Sequence, residues 1–282
     1  MITYNNLLFK YKRKLEEADI STQTGKLFLF ELCNEREIDL YLKMDEDADT
    51  EIVEKFTDGM TRILNHEPMN YVLGYCWFFG YKFYVSNNVL IPRYETEELV
   101  ANTLSFIDNN YGSYDKIKLI DVGTGSGAIA ISLANDEPKL IVKASDISEE
   151  AISMAKRNAL ENNANVEFLV GSMLDPFINN NDKVDIIVSN PPYIPNKELL
   201  ERSVVDFEPN VALFGGEDGL YFYNEILSKA HLILNDNGLI AFEMGYNQSD
   251  KLVEMAKSYF PGSKIEVIKD INAKDRMLFI KL

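Results

Sequence analysis

Apolar residues recur at helical spacing through the first seventy residues of the chain. Leu7, Tyr11 and Leu15 lie on one face of a first predicted helix, and charged residues fill positions between them. Two further segments show similar spacing before Pro68, which prevents a helix from continuing. We therefore predict a small helical bundle over residues 1–70. The pattern fits a structural cap on the next domain and a docking module for a partner equally well.

Aromatic and β-branched residues dominate the segment that follows, residues 71–93. Trp77, Phe83 and Val85 are typical of strands, and Gly80 falls between two apolar runs. This pattern predicts a β-hairpin that links the helical bundle to the rest of the chain.

Strand-like and helix-like segments alternate over residues 94–282. The two clearest helical segments are residues 148–163 and 220–234, and only a few residues separate the last two strand-like segments. Alternation of this kind is typical of α/β proteins with a doubly wound, mostly parallel sheet, whereas the short final connection requires antiparallel strands. We predict a seven-stranded sheet of Rossmann-like type. Its strands are predicted at 117–122, 140–145, 166–170, 184–189, 239–243, 265–268 and 277–280.

The composition is that of a folded globular protein with an acidic surface. Of the 282 residues, 46% are hydrophobic and 26% are charged, and the formal net charge is −17. Such a charge repels polyanions, so we expect no direct contact with nucleic acid. No apolar stretch reaches the roughly eighteen residues of a membrane helix, and the N-terminus has no charged leader followed by an apolar run. We expect a cytoplasmic protein without a membrane partner.

The cysteines and histidines give no indication of a metal site. Cys33 and Cys76 form neither a metal-type pair nor a disulfide framework. His66 and His231 fall in predicted helices, where we interpret them as structural. Since no cluster of His, Cys or acidic residues has metal-ligand spacing, we expect no metal.

A glycine-rich turn joins the first strand of the predicted sheet to the next helix. Glycines at such a turn let the backbone approach a ligand closely. Taken alone, the turn also fits the Gly-x-Gly-x-x-Ala fingerprint of dinucleotide-binding proteins. We assign cofactor contacts to its five residues, which are Gly123, Thr124, Gly125, Ser126 and Gly127.

Three side chains near this turn narrow the choice of cofactor. Asp121 precedes the first glycine, where it would repel a pyrophosphate but suits a ligand with a cationic amino-acid part and a sulfonium. Asp146 ends the second strand, where an acid accepts hydrogen bonds from both ribose hydroxyls or stabilises the start of the next helix. Met173 follows the third strand and offers apolar surface to an adenine or to the core. Together they favour S-adenosylmethionine.

The fourth strand ends in Asn190, Pro191, Pro192 and Tyr193, and this run indicates the chemistry. The prolines fix the backbone and lack N–H donors, which leaves the side-chain carbonyl of Asn190 and the carbonyl of Pro191 as acceptors. A planar nitrogen with two N–H groups can donate to both, and Tyr193 offers its flat face to the target. Two fixed acceptors orient a delocalised lone pair toward a methyl group and stabilise the charge that develops. We predict that these four residues catalyse methyl transfer to an amide or amino nitrogen.

Four regions of the sequence occur together in one known family. They are the linker 71–97, the loop 122–130, the run 190–194 and the segment 208–220. With these motifs the chain resembles the protein-(glutamine) methyltransferases that modify class I peptide chain release factors. Two departures from the family pattern concern the adenine contacts and the linker. Ser172 and Met173 stand where some members have an acid and an aromatic residue, and Tyr94 stands where proline is common.

The resemblance implies a class I S-adenosylmethionine-dependent methyltransferase fold with a small N-terminal helical domain. It implies methyl transfer to the amide nitrogen of the glutamine in the Gly-Gly-Gln motif of a release factor, which the N-terminal helices help to hold. It also implies that 123–127, Asp146 and Asn190 contact the cofactor, and that 190–193 contact the glutamine.

Three other functions stay open from the sequence alone. The run 190–193 also occurs in DNA adenine and cytosine amino-methyltransferases, although the net charge of −17 disfavours DNA binding. An NAD-dependent oxidoreductase fits the glycine turn and Asp146, but leaves the run 190–193 unexplained. The third alternative is a binding scaffold that has the fold but not the activity. The intact cofactor and substrate motifs argue against it.

Overall fold

The computed structural model describes residues 2–282 and divides the chain into two units. The first unit comprises Met1–Gly74 together with Leu200–Phe207. Its helices begin at polar side chains, such as Thr3 and Asp49, that accept hydrogen bonds from backbone N–H groups of the first turn. The helical prediction for this region is confirmed. The helices are α1 (Tyr4–Glu17), α2 (Thr22–Asn34), α3 (Leu40–Lys43), α4 (Thr50–Ile63) and α5 (Met69–Leu73).

Aromatic rings form the centre of the first unit. Phe56 on α4 is fully buried and contacts Tyr11 of α1 edge-on, with 5.5 Å between ring centroids. It also stacks on Phe28 of α2 at 5.6 Å. Because Tyr11 and Phe56 belong to the apolar faces seen in the sequence, their spacing explains which side these helices bury.

The second unit, which contains the rest of the chain, begins with a hairpin that is shorter than predicted, because Tyr71 and Val72 belong to α5 of the first unit. Strands β1 (Tyr75–Phe78) and β2 (Tyr81–Tyr84) pair in antiparallel orientation. The two residues between them, Phe79 and Gly80, have φ values of 50° and 80°. Positive φ at both positions is what a tight two-residue hairpin turn requires, since it matches the twist of the strands.

A seven-stranded sheet follows the hairpin, with helices between most of its strands. Its elements are α6 (Tyr94–Asn110), β3 (Ile117–Val122), α7 (Ala128–Asp136), β4 (Leu140–Asp146), α8 (Glu149–Glu161), β5 (Val166–Val170), α9 (Asp175–Asn179), β6 (Val184–Ser189), α10 (Arg202–Val205), α11 (Tyr221–Ala230), β7 (Leu234–Glu243), α12 (Ser249–Tyr259), β8 (Lys264–Lys269) and β9 (Asp275–Lys281). The Arg202–Val205 helix belongs to the first unit.

The strand order is β5-β4-β3-β6-β7-β9-β8. All pairs from β5 to β7 are parallel, whereas β9 is antiparallel to both β7 and β8. The predicted α/β fold and the antiparallel last pair are therefore confirmed. The chain winds outward in both directions from β3, so the carboxyl ends of β3 and its neighbours form the switch point where such sheets bind ligands.

The central strands are buried on both faces, which explains their continuous apolar runs. In β3 only Lys118 is exposed, and the buried residues include one carboxylate, Asp121. A carboxylate inside such a strand is costly unless it has a partner, so its position points to the site.

The predicted helix 220–234 is too long at its C-terminal end. Helix α11 stops at Ala230, and Leu234 already pairs with Val184 at the start of β7. An apolar residue suits a helix or a strand equally, and only the partner strand decides between them. His66 and His231 likewise lie just after α4 and α11 rather than within them. Within residues 2–282, no helix combines the length and the apolar character that crossing a bilayer demands.

Candidate active site

The glycine turn lies at the switch point, between β3 and α7. Gly123, Gly125 and Gly127 have φ values of 73°, 55° and 85°, which favour glycine. A Cβ atom on Gly127 would lie 2.9 Å from Ile131 and 3.1 Å from Ala155, so this position packs α7 closely against α8. Cβ atoms on the other two glycines would meet nothing within 4 Å. The turn thus exposes backbone to open space where a ligand can approach.

The Asp146 side chain, at the end of β4, holds this turn through hydrogen bonds. Its Oδ2 accepts a hydrogen bond from the Gly125 N–H at 2.9 Å, and its Oδ1 accepts from the Ser148 N–H at 3.0 Å. Burial raises the pKa of Asp146, while these backbone donors oppose the rise. A carboxylate oxygen has more than one acceptor position. The side chain therefore holds the turn and has acceptor capacity left, and its contact with ribose hydroxyls stays a prediction.

Asp121 is the most unusual group in the site. It is fully buried at the end of β3, and its Oδ2 accepts a hydrogen bond from the Thr124 hydroxyl at 2.6 Å. Its Oδ1 has no hydrogen-bond partner among residues 2–282. Burial raises the pKa of this carboxyl to about 7, and the Thr124 hydrogen bond limits the rise. An orphaned carboxylate oxygen beside an open glycine turn fits a ligand with a cationic group.

Met173 follows β5 in a left-handed conformation, with φ of 45°. Its carbonyl accepts a hydrogen bond from the Ser145 hydroxyl at 3.1 Å, which ties this turn to the end of β4. The side chain is half-buried and packs against the core of the second unit. Packing thus accounts for the methionine, and its contact with adenine stays a prediction.

The run 190–193, predicted to bind the substrate, begins directly after β6. The Ser189 hydroxyl donates to the Val122 carbonyl at 2.6 Å and joins the ends of β6 and β3. Asn190 therefore lies next to the cofactor turn. Its Nδ2 donates to the Thr96 hydroxyl oxygen on α6 at 3.1 Å. Because the nitrogen side of the amide is engaged, the carbonyl side is the one available to a substrate.

Tyr193 is held at both ends. Its hydroxyl donates to Glu243 Oε1 at 3.3 Å, and its carbonyl accepts from Gln248 Nε2 at 2.9 Å. The burial of the phenol raises the pKa of Tyr193, and the neighbouring Glu243 carboxylate raises it further. The ring therefore stays neutral and fixed, as a flat binding surface requires.

The segment 213–219 covers the backbone of this motif. The Ile194 N–H donates to the Leu213 carbonyl at 3.0 Å, and the Gly215 N–H donates to the Ile194 carbonyl at 2.9 Å. Cβ atoms would lie 2.4 Å from the Pro192 carbonyl at Gly215 and 2.1 Å from the Tyr193 carbonyl at Gly219. Glycine at these two positions is therefore a packing requirement of the substrate motif.

Sequence reasoning missed a buried acid and an ion pair near these residues. Glu243, the last residue of β7, is fully buried; it accepts hydrogen bonds from the Thr96 hydroxyl at 2.6 Å and from Tyr193. Burial raises the pKa of Glu243 to about 7, against the Thr96 hydrogen bond and the charge of Arg276. The position of Glu243 at the end of a central strand could have indicated its role from the sequence, because Asp121 occupies a similar position near the end of β3.

The second missed group is an ion pair. Arg93 donates to Glu208 Oε1 at 2.5 Å, and the Glu208 side chain is only 2% exposed. The Oε2 atom of Glu208 has no hydrogen-bond partner within residues 2–282. Both residues lie in motifs already noted in the sequence, but nothing in the spacing pairs them. In the same described range, no group of three or more His, Cys, Asp or Glu side chains could hold a metal ion.

Known proteins are similar to this chain over most of its length. A family model described as PrmC N-terminal domain matches residues 6–74, and one described as Methyltransferase small domain matches residues 101–207. A release factor glutamine methyltransferase of Bacillus cereus is 38% identical over 270 residues, which cover 95% of each chain. The chain belongs to the release factor glutamine methyltransferase family. Another member, from Bacillus subtilis, is 43% identical over 213 residues, which cover 75% of this chain and 74% of that one.

Solved structures confirm the fold. A methyltransferase from Pyrococcus furiosus superposes with a TM-score of 0.51 at 21% identity and covers 80% of this chain and 98% of its own. Family membership and the methyltransferase domain make this chain an enzyme with S-adenosylmethionine as its cofactor. The orphaned oxygen of Asp121 and the open glycine turn fit that cofactor, whose amino-acid part and sulfonium are cationic.

Proposed function

We propose that this enzyme transfers a methyl group from S-adenosylmethionine to the side-chain amide nitrogen of the glutamine in the Gly-Gly-Gln motif of class I release factors. The orientation of Asn190 carries the proposal: its Nδ2 donates to Thr96, which leaves its carbonyl oxygen to accept from the substrate. A relative named as a release factor glutamine methyltransferase covers 95% of the chain and supports the substrate.

The residues of the glycine turn, Gly123 to Gly127, would hold the cofactor through their backbone. Asp121 would face its cationic part, and Asp146 would accept from its ribose hydroxyls. Bound S-adenosylmethionine would supply an electrophilic methyl group and would leave as a neutral thioether, whose sulfur keeps the electron pair of the broken S–CH₃ bond. Asn190 would lie beside that methyl group, because the Ser189 hydrogen bond to Val122 joins the ends of β6 and β3.

The glutamine amide would donate one N–H to the Asn190 side-chain carbonyl and the other to the Pro191 carbonyl. These bonds fix the plane of the amide and turn the face of its nitrogen toward the methyl group. They also stabilise the positive charge that grows on the nitrogen as the bond forms. Proximity and orientation can lower the barrier by up to about 7–11 kcal/mol in well-oriented intramolecular reactions, and a contribution of several kcal/mol is expected here. The proton leaves to water after the methyl has arrived, so no strong base is needed.

Pro192 and Tyr193 complete the substrate site. Pro192 has no N–H, and its carbonyl lies under Gly215, so this part of the backbone has little freedom to move. The Tyr193 ring, held through its hydroxyl and its carbonyl, would lie against the glutamine plane. A rigid pocket suits the reaction, because a misplaced acceptor loses much of its effect.

The N-terminal helical unit would bind the release factor outside its glutamine loop. The match of residues 6–74 to a domain of this same enzyme family supports that role over a purely structural one. Since release factors act on ribosomes, the proposed substrate also places the enzyme in the cytoplasm.

A DNA amino-methyltransferase is the second candidate, because the run 190–193 suits an adenine or cytosine amino group as well. The net charge of −17 works against binding to a polyanion. The N-terminal match and the names of the full-length relatives favour the protein substrate.

Peptide mass spectrometry tests the proposal directly. Unmethylated release factor is incubated with the enzyme and S-adenosylmethionine, and the tryptic peptide that contains Gly-Gly-Gln is analysed. We expect one added methyl group on the glutamine, and none on a release factor with Gly-Gly-Asn in its place. An unmodified peptide from a preparation that binds the cofactor would refute the substrate, and methylated DNA in a parallel reaction would establish the second candidate.

A further inference from the structure

A chain of hydrogen bonds connects Asn190 to a buried carboxylate. The Thr96 hydroxyl donates to Glu243 Oε2 at 2.6 Å, and the Thr96 oxygen accepts from Asn190 Nδ2 at 3.1 Å. Thr96 and Glu243 are 4% and 1% exposed, so the hydrogen bond between them is shielded from water, whereas the bond from Asn190 is partly buried. The three residues come from α6, β7 and the end of β6, all within the second unit.

Donor and acceptor chemistry determines which group donates in each of these two hydrogen bonds. When Glu243 is ionised, its carboxylate only accepts, so the single hydroxyl proton of Thr96 points to Glu243. The Thr96 oxygen then has only acceptor capacity left, and Asn190 must offer its Nδ2 rather than its Oδ1. An asparagine amide fits its site in two orientations of nearly equal shape, and hydrogen-bond partners select one of them. Thr96 and Glu243 together select the orientation with Oδ1 toward the substrate.

We propose that Thr96 and Glu243 are positioning residues for methyl transfer, which fix the acceptor that orients the glutamine nitrogen. The inference rests on the proposed function and assigns roles to two residues that act through Asn190 and Tyr193. Glu243 also accepts from the Tyr193 hydroxyl, so one carboxylate holds two side chains of the substrate site. With the opposite amide orientation, Asn190 would present a donor to the donor groups of the substrate.

Replacement of Thr96 tests this inference in the full-length enzyme. Thr96→Val keeps the shape of the side chain and removes the hydroxyl, whereas Thr96→Ser keeps the hydroxyl. We expect Thr96→Val to lower kcat about 10- to 100-fold, as a misplaced catalytic group does. The dissociation constant for S-adenosylmethionine should stay within about twofold of wild type, and Thr96→Ser should recover most of kcat. Wild-type kcat in Thr96→Val, or an equal loss in Thr96→Ser, would overturn the proposal.

Thr103 offers a matched control on the same helix. It is fully buried, and its hydroxyl donates to the Leu99 carbonyl at 2.7 Å instead of to the site. Thr103→Val therefore removes a buried threonine hydroxyl from α6 without touching Asn190. It should keep the kcat of wild type. A loss equal to that of Thr96→Val would mean that α6 acts through packing alone.

A double-mutant cycle separates positioning from any other effect of Thr96. If Thr96 acts through Asn190, Thr96→Val should cost little further activity in an Asn190→Ala background. The same fold-loss in both backgrounds would overturn the proposal. Thr96→Ala enters the same cycle if Thr96→Val fails to fold.

A substrate-free measurement distinguishes failure of the inference from failure of the proposed function. In the ¹⁵N NMR spectrum, the side-chain NH₂ signal of Asn190, assigned by its loss in Asn190→Ala, should show one proton protected from exchange by Thr96. That protection should disappear in Thr96→Val and persist in Thr96→Ser. An unprotected signal in the wild-type enzyme would refute the hydrogen-bond chain, whatever protein the enzyme methylates.

Discussion

Ionisation of Asp121, whose Oδ1 has no hydrogen-bond partner among the described residues, should have two opposite effects. It should destabilise the cofactor-free protein, and it should strengthen binding of the cofactor. Burial raises the pKa of Asp121 from 3.8 to about 7. Below pH 3.8 both the folded and the unfolded state carry the proton, so the ionisation of Asp121 does not change the free energy of unfolding. As the pH rises from 3.8 to about 7, the unfolded state releases the Asp121 proton while the folded state still holds it, so the free energy of unfolding falls. Each unit of difference in pKa corresponds to about 1.4 kcal/mol, so the loss reaches about 4 kcal/mol above neutral pH.

Asp121→Asn should remove this pH dependence from the cofactor-free protein. The asparagine carbonyl can still accept from Thr124, but its NH₂ group is then buried without a partner, at a cost of about 1–3 kcal/mol that does not change with pH. The linkage relation gives about 2 kcal/mol of lost wild-type stability between pH 5.5 and pH 8. The variant should therefore gain about 2 kcal/mol relative to wild type over this interval.

Urea unfolding at pH 5.5 and pH 8, followed by circular dichroism, measures this gain. Asp115→Asn, which changes an exposed acid just before the same strand, is the matched control and should show no such gain. Calorimetry at pH 8 should show that Asp121→Asn weakens binding of S-adenosylmethionine about 10- to 100-fold, a loss of roughly 1.4–2.8 kcal/mol. An equal stability difference at both pH values would refute the ionisation of Asp121. Wild-type cofactor affinity in the variant would refute its role as the partner of the cationic group.

Three further replacements probe the substrate site. Asn190→Ala should lower kcat about 100-fold or more while the melting temperature stays near that of wild type, because it removes an oriented acceptor; wild-type turnover in the mass-spectrometric assay would contradict the mechanism. Gly219→Ala, at a φ of 76° and with a Cβ atom 2.1 Å from the Tyr193 carbonyl, should displace the substrate motif and lower kcat more than cofactor affinity; unchanged kinetics would show that segment 213–219 does not hold the motif. Arg93→Met should leave the Glu208 carboxylate buried without its partner and cost about 3–5 kcal/mol of stability in urea unfolding. The double replacement of Arg93 by Met and Glu208 by Gln should recover part of that loss, and no recovery would show that the pair is not coupled.

The local patterns of the sequence were sufficient for the fold and for part of the site. The alternation of strands and helices predicted the sheet, because the spacing of apolar residues differs between a helix and a strand and can be recognised in the sequence. The glycine turn and Asp146 could be predicted to lie together, because the carboxyl ends of adjacent parallel strands meet at one edge. The run 190–193 indicated an acceptor-rich backbone because proline lacks an N–H group. All of these inferences use residues that are neighbours in the chain or occupy equivalent ends of strands.

Contacts between distant residues needed the tertiary structure. Thr96 and Glu243 are 147 positions apart, and Arg93 and Glu208 are 115 apart, so no local period links them. The burial that raises the pKa of Asp121 and Glu243 to about 7 depends on what packs around each carboxylate. The end of α11 was decided in the same way, by the pairing of Leu234 with another strand. The sequence determined which groups are present and which elements carry them, whereas the fold decided which groups share a dry environment, where hydrogen bonds and charges have their largest effect.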